Sequence, residues 1–167
     1  TKVPTKGSRG CLDATLDLDR VALWADECEG YNIGVATGRV SNIVGFDIDG
    51  QTGLDTLRKL LEKGIKIPKL DVVKTPRGHH VYLSYDGLIR HNSAGKIGPG
   101  IDIRSNGGYL VAPPSVIVTP PSLAIQGKYR WLAFGGEWAD MPMEFVDMLM
   151  ADDQQSARKR LRYAEGE

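Results

Sequence analysis

Apolar residues recur at helical spacing in three segments of the chain. In residues 16–28 they fall three and four positions apart, which predicts a helix with one buried face and with Asp13 or Thr15 as its N-cap. The face predicted to be buried consists of Leu18, Val21, Ala22, Ala25 and Cys28.

A second and a third helix are predicted from the same spacing combined with end signals. Thr52 and Asp55 have the S/T-x-x-D/E spacing of a helix start, and Gly64 supplies a stop, so this helix should end near Lys63. Its apolar stripe is Leu54, Leu57, Leu60 and Leu61. The last helix is predicted to begin at Pro142 and to carry its apolar positions at Phe145, Val146, Leu149 and Met150.

Strands are predicted where apolar and β-branched residues lie between turn residues. Residues 32–37 and 42–49 are predicted to form two neighbouring strands separated by a short turn. Residues 70–75 and 80–85 are predicted to form a hairpin, because the turn between them contains proline and glycine and is short.

A second hairpin is predicted farther along the chain. Residues 101–104 and 109–112 flank Asn106-Gly107-Gly108, a turn composition that permits positive φ, and Pro113-Pro114 closes the unit. The preceding residues 86–100 are rich in glycine, polar and basic residues and show little periodicity. A loop of that length is usually functional or mobile, so we expect it to be disordered or to act as a gate.

Together these elements predict one mixed α+β domain over residues 1–150, followed by a polar tail or linker at 151–167. No run of 18 apolar residues occurs, and no apolar stretch follows the polar and basic first residues, so neither a membrane span nor a signal peptide is expected. Cys11 and Cys28 form no close Cys-x-x-Cys pair, which favours a reducing, cytoplasmic setting over a disulfide framework or a zinc site.

The net charge is zero, but the charges are unevenly distributed. Residues 1–57 carry five lysines and arginines against nine acids, whereas residues 58–104 carry ten against four. An ordinary solvated surface explains this pattern as well as a polyanion-binding surface does, so the charges need a chemical context before they indicate a function.

Two carboxylates stand at the end of the apolar strand Phe46-Asp47-Ile48-Asp49-Gly50. The period-two geometry of a strand turns Asp47 and Asp49 to the same face, with their Cα atoms roughly 7 Å apart. Neighbouring carboxylates repel each other, so the pair favours a divalent ion such as Mg²⁺ or Mn²⁺. A strand end at which Asp49-Gly50 merely opens a turn is the competing interpretation.

The segment Lys74-Thr75-Pro76-Arg77-Gly78-His79-His80-Val81-Tyr82 combines basic side chains with a glycine beside a strand. Lys74, Arg77 and His80 are suited to binding a polyphosphate, and Gly78 lets the backbone come close. Only His80 shares a strand face with Tyr82, whereas His79 points to the opposite face with Val81, so one of the two histidines is expected to be structural. A structural role or a metal-ligand role remains open for either histidine taken alone.

A third carboxylate lies in Gly100-Ile101-Asp102-Ile103-Arg104, where Asp102 and Arg104 share the face opposite the two isoleucines. A surface ion pair between them is the simplest explanation and would be worth little. The combination of Asp-x-Asp, Gly-x-His and Ile-Asp, each at a β segment, is more specific than any one of these motifs. It favours a metal-and-triphosphate site.

With these motifs the chain resembles the bifunctional primase-polymerase domain of the archaeo-eukaryotic primase superfamily. The resemblance runs from about Gly10 to Leu149. The chain departs from the family in two respects: it starts without the apolar first strand and helix that the family usually shows, and the Gly/Ser-rich stretch before the histidine is shortened to Arg77-Gly78. The zinc-binding Cys/His cluster of some relatives is not seen in the sequence. The segments that carry the resemblance are residues 32–38, 46–49, 75–82, 101–104 and 107–115 and the tripeptide Tyr129-Arg130-Trp131.

The resemblance implies a split catalytic fold with a modified RRM-like sheet and an N-terminal αβ lobe. It implies a DNA primase-polymerase that uses two Mg²⁺ or Mn²⁺ ions, one activating the primer's 3′ hydroxyl and one neutralising the triphosphate. Asp47, Asp49 and Asp102 would be the catalytic metal ligands. The resemblance implies that His80 contacts the nucleotide's phosphates. From their charge and from the close backbone approach at Gly78, we expect Lys74, Arg77, Gly78 and Arg104 to complete the nucleotide-binding set.

The expected partners follow from the same resemblance. They are a single-stranded DNA template and primer, dNTP with NTP as an alternative, and a helicase domain or partner in a phage or plasmid replication protein. Extension of a primer is expected more firmly than initiation, because some relatives use a zinc-binding element to start primers.

Three other functions stay open at this point. A metal-dependent nuclease would use the same acids and histidine to activate water. A replication-initiator nuclease fits less well, because His79 and His80 are adjacent rather than separated by one residue. A non-catalytic single-strand binding module would need stacking aromatics, which are sparse in the predicted strands.

Overall fold

The computed structural model describes residues 3–66, 71–119 and 124–151. One turn of 3-10 helix at Gly10–Asp13 precedes the main elements. These are α1 (Leu18–Glu27), β1 (Ile33–Ala36), β2 (Ile43–Asp49), α2 (Gly50–Glu62), β3 (Asp71–Lys74), β4 (Gly78–Ser84), β5 (Ser93–Ala94), β6 (Ile101–Arg104), β7 (Tyr109–Ala112), β8 (Val116–Thr119), β9 (Ala124–Lys128), β10 (Arg130–Ala133) and α3 (143–151). The predicted tail after residue 151 and the predicted strand start at Leu70 lie outside the described residues.

A six-stranded antiparallel sheet forms the centre of the molecule, in the order β10-β3-β4-β2-β6-β5. The strand β2 lies inside this sheet and is hydrogen-bonded to β4 on one side and to β6 on the other. The fold is therefore mixed α+β, as expected from the sequence, and the predicted β3–β4 hairpin is confirmed.

Both faces of the sheet carry buried apolar residues, because alternate residues of β2 point in opposite directions. One face packs against α2 and α3, where Phe46 meets Phe145 with ring centroids 5.2 Å apart. On the other face, Val73 and Tyr82 pack against Leu110 and Val111 of β7. The second face also holds the polar side chains described below.

Two predicted strand pairings are wrong. β1 pairs with β7 in a separate two-stranded sheet, not with β2, and β6 pairs with β2 instead of forming a hairpin with β7. The turns after β1 and after β6 contact each other, since the Thr37 amide donates to the Gly108 carbonyl at 3.0 Å. A Cβ on Gly38 would lie 2.3 Å from Asn106 Oδ1. This contact directs β1 towards β7.

The helix ends and the first buried face also differ from the predictions. Asp17, not Asp13 or Thr15, caps α1, and its side chain accepts from the Asp19 amide at 3.0 Å. The face predicted to be buried is open in the described part of the chain, where Leu18 is 80% exposed, because no described element packs over it.

The second helix starts earlier than predicted but ends as predicted. It begins at Gly50, and the N-cap residue Asp49 makes no side-chain cap. Asp55, part of the predicted start signal, accepts instead from Gln51 and Arg58. Gly64, at φ +88°, follows the C-cap residue Lys63.

The long segment 86–100 is irregular apart from the short strand β5, as predicted. Its side chains Ile89 and Ile97 are buried, and Pro99 accepts a hydrogen bond from Thr56 at 2.7 Å. These contacts anchor the segment, so the expectation of disorder is not met, while a gating role stays a prediction. In the described ranges, none of the helices combines the length and apolar character that crossing a membrane requires.

Candidate active site

Three of the predicted site residues lie side by side in one row across the central sheet. Asp47 of β2 is in register with His80 of β4 on one side and with Asp102 of β6 on the other. Residues directly opposite each other on paired strands share a face, so these three side chains project the same way. His80 Nε2 lies 3.4 Å from Asp47 Oδ1. The sheet thus assembles an acid–acid–histidine row.

Arg104 lies beside this row and balances part of its charge. Its Nη2 atom is 3.1 Å from Asp102 Oδ2 and 3.6 Å from Asp47 Oδ2. One guanidinium next to two carboxylates reduces their mutual repulsion. The predicted common face of Asp102 and Arg104 is confirmed, but the pair belongs to a larger cluster that includes Asp47.

Asp49 lies two residues farther along β2, on the same face as Asp47 but beyond the row. It occupies the N-cap position of α2, yet its side chain caps no amide of the helix. Its side chain is 47% exposed, and Arg77 Nη2 lies 3.8 Å from its Oδ1. Asp49 is therefore accessible from solvent at the edge of the cluster.

A cleft of about 300 Å³ opens above the row, between the sheet and β7. Gly45 makes room for this arrangement, because a Cβ there would lie 2.3 Å from Leu110 Cδ1. Gly108 is equally constrained, because a Cβ there would lie 2.4 Å from Asn92 Oδ1. The lining comprises Asp47, His80, Asn92, Arg104, Gly107, Gly108, Tyr109, Leu110, Val111 and Tyr129.

Several buried polar groups around Asp47 have no hydrogen-bond partner. They are His80 Nδ1 and the hydroxyls of Tyr82 and Tyr129, and the His80 and Tyr129 rings lie 5.7 Å apart. Burial, with contributions from the Asp47 charge and from Tyr129, raises the pKa of Tyr82 well above its usual range. An unpaired buried polar group costs about 1–3 kcal/mol, so the cluster is suited to a polar ligand that supplies the partners.

The donor chemistry of the three acids fits a hard divalent ion, since Mg²⁺ and Mn²⁺ prefer carboxylate oxygens. The described residues nevertheless contain no group of three His, Cys, Asp or Glu side chains close enough to enclose an ion. Asp49 stands outside the row, and Arg104 lies against the other two acids. The acids supply suitable ligands without forming a closed cage.

The remaining predicted nucleotide-binding residues are not all brought to this face. Lys74 is in register with His79, so its side chain leaves the sheet on the face opposite Asp47. Arg77 stands in the β3–β4 turn beside Asp49. Gly78 is required by packing, because a Cβ there would lie 1.8 Å from the Ile48 carbonyl oxygen. The structure therefore groups Arg77 and Arg104 with the acids but not Lys74.

Sequence reasoning assigned no role to Tyr82, Asn92, Tyr109 or Tyr129. For Tyr82 the sequence did indicate a place near the site, because Tyr82 lies two residues after His80 on the same strand and thus shares its face. For Tyr129 the sequence offered only the family match of Tyr129-Arg130-Trp131, which gave it no role, since it follows β9 and reaches the site only through the tertiary fold. Its amide donates to the Ser115 carbonyl at 2.8 Å, which holds it in place.

His79, on the face opposite the site, should make the stability of the fold depend on pH. Burial, together with the positive charges of Lys74 and His80, lowers the pKa of His79 below the ordinary value of 6.5. As the pH falls, His79 of the unfolded chain therefore takes up a proton at a higher pH than His79 of the folded chain does. The free energy of unfolding then decreases between pH 6.5 and the lower pKa of folded His79. We expect His79→Gln to lose less stability than the unaltered protein between about pH 7.5 and about pH 5.5, measured by urea unfolding. Equal losses would show that His79 does not contribute.

The fold is mixed α+β, and acidic and basic side chains line its cleft, an arrangement typical of sites for charged ligands. A family model described as bifunctional DNA primase/polymerase, N-terminal, matches residues 1–144 of the 167. The chain belongs to this family, which confirms the resemblance seen in its sequence. No curated protein matches the chain. Family membership indicates primase-polymerase activity, with DNA and nucleotides as substrates.

Proposed function

We propose that the protein carries out template-directed nucleotidyl transfer, synthesising primers or extending DNA during replication. The observation that carries this proposal is the row of His80, Asp47 and Asp102 on one sheet face, opening into a cleft. The three acids would serve as ligands for divalent ions, and residues 1–150 would form the catalytic domain.

The strand order supports the proposed RRM-like catalytic sheet. The elements β2, α2, β3, β4 and β6 follow one another along the chain, and the strands lie in the order β3-β4-β2-β6. This is the strand order of an RRM, with the irregular residues 85–100 in place of its second helix. α1 and the β1–β7 ribbon would then form the N-terminal αβ lobe.

The chemistry divides between the ions and the protein. Mg²⁺ or Mn²⁺ ions bound to the three aspartates would activate the primer's 3′ hydroxyl and neutralise the charge of the triphosphate. Asp47, Asp49 and Asp102 would hold these ions at one end of the cleft. The protein's own contribution is then positioning and charge stabilisation.

His80 and Arg104 are proposed to bind the nucleotide's phosphates. His80 is buried and has one ring nitrogen beside Asp47 and the other without a partner, so it can donate to a phosphate oxygen. Arg104 is held over the cleft floor by two carboxylates and adds positive charge there. Arg77 would reach the same phosphates only from the exposed turn, and Lys74 would have to approach from the other face.

A primer-extension assay tests the proposal against the nuclease alternative. Labelled primer-template is incubated with Mn²⁺, with and without dNTPs, and with EDTA as a control. We expect the primer to lengthen only when ion and dNTPs are both present. Shortening of the labelled strand without dNTPs would indicate a nuclease instead. A single-stranded template with labelled dNTP or NTP then separates priming from extension.

A further inference from the structure

An aromatic cluster lies at the β10 edge of the central sheet. It consists of Tyr82, Trp131, Phe134 and Trp138, with Trp131 centred 5.4 Å from Tyr82 and 4.8 Å from Phe134. Trp138 stacks on Tyr82 at 5.6 Å and meets Phe134 at 6.2 Å. Tyr82 is buried, whereas Trp131 is 38% and Phe134 63% exposed. The cluster thus rests on the sheet and presents two rings to solvent.

The register places this cluster on the same face as the candidate active site. Trp131 is in register with Val73, and Val73 with His80, which faces Asp47. Trp131 therefore continues the row of the acids and the histidine. Three strand spacings separate it from Asp47, which is roughly 14 Å. This distance places the exposed rings beyond the cleft, on a continuous surface with it.

Packing against the buried Tyr82 explains the positions of the two tryptophans but not that of Phe134. Trp131 and Trp138 already pack on Tyr82, and Phe134 adds an exposed ring that contacts those two tryptophans but buries little of itself. Flat exposed rings side by side are suited to stacking with planar groups.

The charges next to the cluster favour a polyanion. Lys128 is exposed just before β10, and Arg77 is exposed in the neighbouring β3–β4 turn, whereas Arg130 is in register with Lys74 and leaves the sheet on the opposite face. Glu137 is the acid that is exposed within the cluster's own segment. Cations that flank stacking rings are the combination that binds single-stranded nucleic acid, whose bases are free to stack.

We propose that Trp131 and Phe134 form a stacking platform for the bases of single-stranded DNA, and that it holds the template strand beside the active site. The assignment of this strand as template rests on the proposed function; the binding itself does not. Sequence-independent binding is expected, because every base has a ring face to stack.

Binding of a labelled oligo-dT strand, measured by fluorescence anisotropy without metal or nucleotide, tests the platform. Trp131→Ala and Phe134→Ala are each expected to weaken binding about 5- to 100-fold, the range for loss of one stacked base. Trp131→Phe should retain most of the affinity. Leu132→Ala is the matched control, since Leu132 is the next residue of β10 and is 57% exposed, and its change should stay within about twofold.

The outcomes separate this inference from the proposed function. Oligo-dT binding by both alanine variants at the level of Leu132→Ala would overturn the platform, even if they extend primers normally. If Trp131→Ala fails to fold, Phe134→Ala still decides, because its ring is mostly exposed. Weakened oligo-dT binding by the alanine variants, together with no primer extension by the unaltered protein, would overturn the proposed function alone and leave a single-strand binding surface.

Discussion

Replacing both Asp47 and Asp49 by alanine is expected to reduce primer extension by about a thousandfold or more while the fold persists. The reason is that the proposed ions stabilise the developing charge by several kcal/mol, and each 1.36 kcal/mol corresponds to a tenfold change in rate. Asp47 is the centre of the row and Asp49 is the accessible acid beyond it, so the double variant removes most of the ligand set. Gel-based extension in Mn²⁺, at saturating dNTP, measures the loss.

The matched control for this variant replaces two acids that do not line the cleft. Asp19 and Asp26 are exposed on α1, and their double alanine variant changes the net charge equally. We expect it to extend primers at the normal rate. Circular dichroism and thermal unfolding of both variants verify the fold. A well-folded Asp47→Ala, Asp49→Ala protein that still extends primers would contradict the metal-ligand roles.

The His80→Ala variant is expected to show a different defect. Its kcat/KM for dNTP should fall about 10- to 100-fold, with most of the change in KM, because a hydrogen bond to a charged group contributes about 1.5–3 kcal/mol. His80 lies on the cleft floor beside Asp47, so its removal would take away a phosphate contact without displacing the acids. Steady-state extension over a range of dNTP concentrations measures both constants.

His79→Ala provides the comparison, since it changes the same residue type one position away on the opposite face. It is expected to leave the dNTP dependence unchanged. A His80→Ala enzyme with the same dNTP dependence as the unaltered protein would argue against the phosphate role. Equal defects in the two variants would indicate a general disturbance of β4 rather than a lost contact.

The site and the stacking platform together suggest how one sheet face serves two parts of the substrate. Asp47, His80 and Arg104 line the cleft, with Asp49 and Asp102 beside them, which suits the triphosphate and the primer end. The exposed rings lie three strands away, which suits template bases ahead of the reaction. Because Trp131 and Asp47 are on strands of one continuous hydrogen-bonded sheet, their spacing is set by the sheet itself.

Local patterns were sufficient for several elements. The alternation in 46–49 placed Asp47 and Asp49 on one face, and the same rule separated His80 from His79, because side-chain direction along a strand depends only on residue parity. The end of α2 at Gly64 and the β3–β4 hairpin also followed from nearby residues. The strands β8, β9 and β10 were not predicted, so the family match at Tyr129-Arg130-Trp131 gave neither Tyr129 nor Trp131 a position or a role.

What the sequence determined by itself was therefore the direction of each side chain within its own element and the family to which the chain belongs. Only the tertiary structure decided which strands are neighbours and in which register. The strand pairing and its register place Asp102 opposite Asp47, Lys74 on the other face of the sheet and Trp131 in line with the row of site residues. Register depends on contacts between residues far apart in the chain, such as Gly38 with Asn106 and Gly78 with Ile48, and these are absent from any local pattern.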